Sequence, residues 1–276
     1  MISNLGIMQG RLSKPLNGKI QSFPKYSWKK EFNLAKKLSF KFLEWTLDYE
    51  DLDKNPLMMQ EIHPKIKALS KKYNIKIKSI TGDCFMQKPF WKTSNSRLKL
   101  KLLKDLKNII INASNLKIKF LIIPLVDAGS IKNREQEKTL VFELSKFKKI
   151  LKKNKLQILF ETDLNPKKNS KFMKKFNSNH FGINYDTGNS ASLNFDPIQE
   201  FKEYGKYIKN IHLKDRKKFG KTVPFGQGNA NFKLIFNLCK KINFKGNMIL
   251  QGARKSIGKE EMTIRQYLKF ISRNSI

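Results

Sequence analysis

Short apolar runs alternate with longer amphipathic stretches along the whole chain. The apolar runs are only a few residues long and are rich in β-branched and aromatic side chains, which is typical of strands buried in a parallel sheet. They predict eight strands, at residues 5–8, 40–45, 75–80, 118–124, 156–161, 181–185, 208–213 and 247–251.

The amphipathic stretches between these runs predict helices, and three of them begin with proline, which fits the first turn of a helix. The predicted helices are 27–38, 56–72, 96–115, 133–153, 166–176, 197–207, 232–242 and 259–272. Strands and helices that alternate in this way predict a parallel sheet closed into a (β/α)8 TIM barrel. The chain has 276 residues, close to the roughly 250 of such a barrel, and no linker divides it. We therefore expect a single barrel domain over residues 1–276.

The chain is strongly basic, with 57 Lys and Arg residues against 22 Asp and Glu residues and a net charge of +35. Such a charge can indicate nucleic-acid binding. However, only seven of these basic residues are arginine, the residue that phosphate-binding surfaces favour for its bidentate geometry. The lysines are instead spread along the predicted helices. We therefore expect a solvated basic surface and no nucleic-acid partner.

Membrane and export signals are not evident in the sequence. No apolar stretch approaches the roughly 20 residues that cross a bilayer, and the N-terminus lacks a charged segment followed by an apolar one. The two cysteines, Cys84 and Cys239, are far apart and form no CxxC motif. We expect a reduced, cytoplasmic protein without a membrane partner.

The last four predicted strands each end in a polar side chain. These side chains are Glu161, Asp186, His212 and Gln251. In a barrel the carboxyl ends of the strands meet at one mouth, so the four side chains should converge there. One alternative is that they only hydrogen-bond to one another, but buried carboxylates are costly unless they are paired or coordinated. Three oxygen donors and an imidazole therefore predict one divalent metal ion, with Mn²⁺ or Mg²⁺ favoured and Zn²⁺ or Co²⁺ also suitable.

The motifs FETD, YDTGN, IHLKDR and VPFGQGNANF follow one another in this part of the chain. In this order they resemble the sugar phosphate isomerase/epimerase family of xylose isomerase-like barrels, and the resemblance runs from LGIMQGRL to ILQGAR. It implies a metal-dependent isomerase or epimerase in carbohydrate metabolism. The substrate would be a small sugar or sugar phosphate that reacts through an enediolate, with Glu161 as the base. Barrels that resemble this one often pair, so a homodimer is also expected.

Three positions depart from the pattern of the family. Gln251 stands where the family usually has Glu; it keeps a metal-binding oxygen but cannot take a proton. Asn189 stands where the ketose 3-epimerases often place a histidine, and Asp83 is near another such position. Loss of the second Glu favours isomerisation with one base, unless Asp83 or Lys214 provides the second catalytic group.

Side chains at the strand ends and in the adjoining loops are candidate substrate contacts. They are Gln9, Arg11, Glu44, Trp91, Asn189, Arg216 and Arg254. The arginines of this set, together with Lys214, could supply the fixed positive charge that a phosphorylated or acidic substrate needs. In a chain this basic, plain surface charge is the alternative. Trp91 lies in a polar loop and could form the wall of a sugar pocket, whereas the alternative is core packing.

The glycines of VPFGQGNANF, Gly226 and Gly228, could let backbone N–H groups approach a phosphate, because barrels often bind phosphate near strands seven and eight. The alternative is a plain tight turn.

Three other functions are compatible with parts of the pattern. A lyase or dehydratase acting on a polyol or keto-acid would use the same metal site. A non-catalytic sugar-binding barrel is suggested by Gln251. The positive charge suggests an apurinic-site endonuclease, but the resemblance implies a histidine-rich zinc cluster for that activity, and this chain has only three histidines.

Overall fold

The computed structural model describes residues 4–275, so that the ends of the predicted domain, residues 1–3 and 276, lie outside it. Eight parallel strands form a closed barrel in which the last strand pairs with the first. The strands are Leu5–Met8, Phe42–Thr46, Lys76–Thr81, Phe120–Leu125, Gln157–Thr162, Phe181–Asp186, Ile208–Leu213 and Asn247–Leu250. The predicted fold is confirmed, and each predicted strand end lies within two residues of the observed one.

The helices surround the barrel. They are Trp28–Lys37, His63–Tyr73, Asp83–Gln87, Ser96–Asn115, Arg134–Ser145, Lys148–Asn154, Pro166–Met173, Thr187–Ser192, Pro197–Tyr204, Phe232–Lys241 and Glu260–Asn274. The helix predicted over 56–72 begins only at His63. The helix predicted over 133–153 is interrupted after Ser145, where the backbone N–H groups of Lys146 and Phe147 donate to carbonyl oxygens three residues earlier in the chain. In the part of the chain described here, no helix is both long and apolar enough to span a bilayer.

Two short helices were not predicted, and both follow barrel strands at the mouth. Thr187–Ser192 begins at Asp186, whose Oδ1 accepts hydrogen bonds from the backbone N–H groups of Gly188 and Asn189. Aspartate is a favoured residue at this position because it satisfies N–H groups that have no partner within the helix. The second helix, Asp83–Gln87, follows the third strand. Local capping therefore fixes the Asp186 carboxylate at the end of the sixth strand.

Strand alternation determines which side chains enter the barrel. Phe160 and Phe181 pack outward, with Phe172 and Phe176 of the surrounding layer, at ring-centroid distances of 4.7–5.9 Å. Successive residues of a strand face opposite sides. Because Phe160 faces the helices, its neighbour Glu161 faces the barrel interior.

The glycine-containing turn after the seventh strand wraps around a buried carboxylate. The backbone N–H groups of Gly226 and Gly228 each donate to Asp215 Oδ2 at 2.9 Å, and that of Ala230 donates to Asp215 Oδ1 at 3.1 Å. The two glycine N–H groups that were candidates for phosphate binding therefore bind a side chain of the protein. The tight turn is the interpretation that the structure supports.

We predict that Gly228→Ala destabilises the protein because the turn leaves no room for a side chain. A Cβ at this position would lie 2.0 Å from Asp215 Oδ1 and 2.6 Å from the carbonyl oxygen of Arg216. The free energy of unfolding in urea should fall by roughly 1–3 kcal/mol, as in other overpacked sites. Gly205→Ala is the matched control, since its Cβ would meet no atom closer than 3.7 Å. Equal stability of the two variants would contradict this description of the turn.

Candidate metal centre

Glu161, Asp186 and His212 meet at the carboxyl ends of the fifth, sixth and seventh strands. Each offers one ligand atom, and these atoms lie within 4.8 Å of one another. Asp186 and His212 are direct neighbours in the sheet register, and His212 Nδ1 lies 3.0 Å from Glu161 Oε2. All three side chains are buried. Three of the four predicted ligands are thus brought together as the sequence indicated.

Several buried polar atoms around this cluster lack hydrogen-bond partners. Gln251 Oε1 has no partner, whereas His212 Nδ1 and Asp186 Oδ2 have only ion-pair contacts, with Glu161 Oε2 at 3.0 Å and with Lys214 Nζ at 2.7 Å respectively. Leaving a buried polar atom unpaired costs about 1–3 kcal/mol. A cation can satisfy oxygen and imidazole nitrogen atoms at the same time. The residues present therefore fit a divalent metal ion.

His212 is oriented by a carboxylate inside the barrel. Its Nε2 lies 2.6 Å from Glu44 Oε1, and Glu44 is completely buried. Because an ionised carboxylate only accepts hydrogen bonds, Nε2 carries the proton and the lone pair of a neutral ring is on Nδ1. Glu44 was predicted as a substrate contact; in the structure its position in the second strand directs it into the barrel, where it binds His212.

A ladder of amide side chains connects Glu44 with Glu161. Asn210 donates to Glu44 Oε2 at 3.2 Å and to Asn184 Oδ1 at 2.8 Å, and Asn184 in turn donates to Glu161 Oε2 at 2.7 Å. Sequence reasoning missed both asparagines. A signal existed, because each lies two positions before a predicted ligand, and residues two apart in a strand share a face.

The buried charges shift one another's pKa values. Burial opposes ionisation of His212, but the charges and hydrogen bonds of Glu44 and Glu161 outweigh it and raise the pKa of His212. Burial likewise disfavours ionised Glu161, yet the hydrogen bond and charge of His212 lower the pKa of this carboxyl. Burial raises the pKa of Asp186. Without a metal, the imidazolium of His212 therefore supplies positive charge to this cluster.

Two predicted substrate contacts bind Glu161 or stand next to it. Asn189 Nδ2 donates to Glu161 Oε1 at 2.7 Å, and Asn189 Oδ1 accepts from Arg216 Nη1 at 2.9 Å. Arg216 also donates, through Nε and Nη2, to the carbonyl oxygen of Gly220. Both side chains are thus engaged with the protein, and together they hold the second oxygen of Glu161.

The loop between the first strand and the first helix lies across the mouth, held by two buried or partly buried arginines. Arg254 donates to the carbonyl oxygens of Gly10, Ser13 and Ile20. Arg11 also donates to Ile20, at 2.7 Å. Both arginines were predicted to contact substrate; in the structure their guanidinium groups bind this loop instead, because its turns direct several carbonyl oxygens towards them.

Gln21, in this same loop, enters the site and was not predicted. Its Oε1 accepts from Gln251 Nε2 at 2.7 Å and from Arg11 Nη2 at 3.0 Å, and its Nε2 donates to Asp83 Oδ2 at 2.5 Å. Burial raises the pKa of Asp83 to about 6. No periodic pattern marks a loop residue, so the sequence carried no signal for Gln21.

The remaining predicted contacts are buried. Trp91 packs edge-on against Phe90 and donates its indole N–H to the carbonyl oxygen of Gly129 at 3.1 Å. It is therefore part of the core, contrary to the prediction that it walls a sugar pocket. Gln9 is also buried, with its Oε1 3.4 Å from the backbone nitrogen of Thr46 and its Nε2 without a hydrogen-bond partner.

Comparisons with solved structures agree with this fold. The solved IOLI protein with a bound zinc atom superimposes with a TM-score of 0.75 at 14% identity, over 98% of this chain and 99% of that one. D-psicose 3-epimerase from Clostridium cellulolyticum H10, solved with D-tagatose, gives a TM-score of 0.73 at 13% identity over 99% of each chain. At these identities the likeness shows the fold alone.

A curated relative and a family model extend the comparison. Inosose dehydratase from Clostridium tetani is 25% identical over 152 residues, covering 46% of this chain and 51% of the relative, so the match spans about half of that protein. The family model described as xylose isomerase-like TIM barrel matches residues 32–273. Because this match covers most of the sequence, the chain belongs to the xylose isomerase-like TIM barrel family.

Proposed function

We propose that this protein is a metal-dependent isomerase or epimerase of a small, uncharged sugar. The observation that carries the proposal is the convergence of Glu161, Asp186 and His212, whose ligand atoms lie within 4.8 Å of one another, together with the buried Gln251 Oε1, which has no hydrogen-bond partner. A structural cluster of polar residues would satisfy these atoms within the protein.

The donor set suits a divalent cation held by Glu161, Asp186, His212 and Gln251. Two carboxylate oxygens, an amide oxygen and an imidazole favour Mn²⁺ or Mg²⁺, with Zn²⁺ or Co²⁺ as alternatives. When bound, the cation would polarise adjacent carbonyl and hydroxyl oxygens of a sugar and so acidify the hydroxyl-bearing carbon next to the carbonyl. Asp186 Oδ2 is available for this role once Lys214 moves away from it.

Glu161 is the proposed base. Asn184 and Asn189 each donate to one of its oxygens, so the carboxylate is fixed in position. It would take the proton from the carbon next to the sugar carbonyl, leaving an enediolate, and return the proton to the neighbouring carbon. Transfer on one face by one carboxylate gives aldose–ketose isomerisation.

Lys214 is the proposed second proton carrier. Its ammonium group lies beside Asp186 and its side chain is mostly buried. Epimerisation requires a donor on the opposite face of the enediolate, and Lys214 could protonate that face. Asp83, the other sequence candidate, is bound to Gln21 and Thr81. The structure therefore favours Lys214 over Asp83 for this role.

The absence of a phosphate from the proposed substrate follows from the contacts of the basic residues. Arg11 and Arg254 bind loop carbonyls, Arg216 binds Asn189 and Gly220, and the glycine N–H groups bind Asp215. A phosphate needs such groups free and fixed. Since the predicted candidates are already engaged by the protein, an uncharged sugar fits the site better than a sugar phosphate.

Dehydration of a cyclic polyol is the second candidate function. It is favoured by the match to inosose dehydratase, which covers 46% of this chain. The same base would remove a proton from the carbon next to a carbonyl and pass it to the hydroxyl group on the following carbon, which would then leave as water. Sugar rearrangement conserves mass, whereas dehydration loses one water molecule, so mass spectrometry of the product separates the two reactions.

We predict that the Mn²⁺-loaded protein in D₂O incorporates deuterium at C2 or C3 of at least one sugar from a panel of unphosphorylated aldoses and ketoses. Glu161→Gln should reduce this exchange beyond the roughly 10²–10⁴-fold expected for loss of a general base, because it also removes a ligand charge. NMR of the recovered sugars measures the exchange. Glu50→Gln is the control, since Glu50 pairs with Lys19 at the surface.

Two outcomes would contradict the proposal. One is no exchange with any sugar of the panel by protein that binds Mn²⁺. The other is undiminished exchange in Glu161→Gln, which would place the chemistry on another residue.

We also predict that Glu44→Gln weakens Mn²⁺ binding by roughly 10–100-fold, the usual effect of changing a group that orients a metal-binding histidine. An amide can accept from or donate to His212 Nε2, so it no longer fixes the proton on that nitrogen. Calorimetric titration measures the affinity. Ser79→Ala is the matched control, because Ser79 donates to the same carboxylate at 2.7 Å without touching His212. Similar losses in both variants would argue against the orienting role.

A further inference from the structure

Gln251 can bind a cation only if its amide is turned the right way, a requirement that glutamate would not have. Its amide has one oxygen and one nitrogen, and only the oxygen can bind a cation. The amide must therefore be held with Oε1 towards Glu161, Asp186 and His212. A carboxylate has two equivalent oxygens and needs no such control.

Gln21 has a fixed orientation because two neighbours constrain its amide independently. Asp83 accepts from Gln21 Nε2 at 2.5 Å, and an ionised carboxylate cannot donate. Arg11 donates to Gln21 Oε1 at 3.0 Å, and a guanidinium cannot accept. Rotating the amide of Gln21 by half a turn would therefore create two unfavourable contacts, donor against donor at Arg11 and acceptor against acceptor at Asp83.

The orientation of Gln21 determines that of Gln251. Gln251 Nε2 donates to Gln21 Oε1 at 2.7 Å. Its own Oε1 is consequently directed elsewhere, and this oxygen is buried without a hydrogen-bond partner. The orientation that Asp83 and Arg11 impose on the Gln21 amide therefore determines the orientation of the Gln251 amide.

We propose that Gln21 is a positioning residue that turns the Gln251 oxygen towards the metal, so that closure of the loop carrying Gln21 completes the metal site. The inference rests on the proposed metal-binding function. It explains how this chain accommodates Gln where its family usually has Glu. The loop between the first strand and the first helix fixes which end of the Gln251 amide faces the metal.

Metal binding and closure of this loop should favour each other. If loop closure strengthens metal binding, metal binding must stabilise the closed loop by the same free energy. The loop carries an exposed lysine, Lys19, after which trypsin can cut. Mn²⁺ should therefore slow cleavage after Lys19 in the wild-type protein and should not slow it in a Gln21→Met variant.

The decisive experiment is a double-mutant cycle read by Mn²⁺ affinity alone. In the wild-type background, Gln21→Met should weaken binding by roughly five- to tenfold, the effect of losing one or two net hydrogen bonds. In the Gln251→Glu background, the same change should leave binding unchanged or tighten it, because Gln21 Oε1 would repel the new carboxylate. Equal losses in the two backgrounds would overturn the inference, since a merely structural role of the loop predicts them.

The cycle also separates this inference from the function on which it rests. If the wild-type protein does not bind Mn²⁺, the proposed function fails; if wild type and Gln21→Met bind equally, only the inference fails. Lys19→Met is the loop control and should bind as wild type does. If circular dichroism shows that Gln21→Met is unfolded, Asp83→Asn replaces it. The asparagine amide can both donate and accept, so it no longer fixes the orientation of Gln21. Asp83→Asn should therefore weaken Mn²⁺ binding when residue 251 is Gln and leave it unchanged in the Gln251→Glu background. Equal effects in the two backgrounds would overturn the inference.

Discussion

The burial of several carboxylates at one mouth of the barrel is the constraint on which the rest of this structure depends. Glu44, Glu161 and Asp186 are each at least 94% buried, and burying a charge without compensation is costly. The protein balances these charges with His212, which contacts Glu44 and Glu161, and with Lys214, which contacts Asp186. Oε1 of Gln251 nevertheless lacks a hydrogen-bond partner, and a cation would satisfy this oxygen together with the carboxylates and Nδ1 of His212.

The side chains proposed to bind the metal are held in position by different kinds of contact. Asp186 is fixed by capping a helix, Glu161 by two asparagines, and His212 by Glu44. Gln251 alone depends on a loop, through Gln21. Three of these side chains are therefore positioned by the barrel and the elements that adjoin its strands, whereas the fourth is positioned by the loop between the first strand and the first helix.

The sequence was sufficient for the fold and for the convergence of Glu161, Asp186 and His212, because strand periodicity and the repeat of strand and helix are local properties. It was insufficient where contacts depend on three-dimensional arrangement. Glu44 was noticed, but its role required knowing that its strand faces His212 across the barrel. The contacts of Arg11 and Gln21 depend on the path of an irregular loop, which no pattern of residues specifies.

The central claim is that these four residues bind one divalent cation. Anomalous scattering from a crystal of the wild-type protein grown with Mn²⁺ tests it most directly. The account predicts a single strong peak bonded to Glu161, Asp186 Oδ2, His212 Nδ1 and Gln251 Oε1, with Lys214 displaced from Asp186. A site without a peak, in which Lys214 still contacts Asp186 at saturating Mn²⁺, would contradict it.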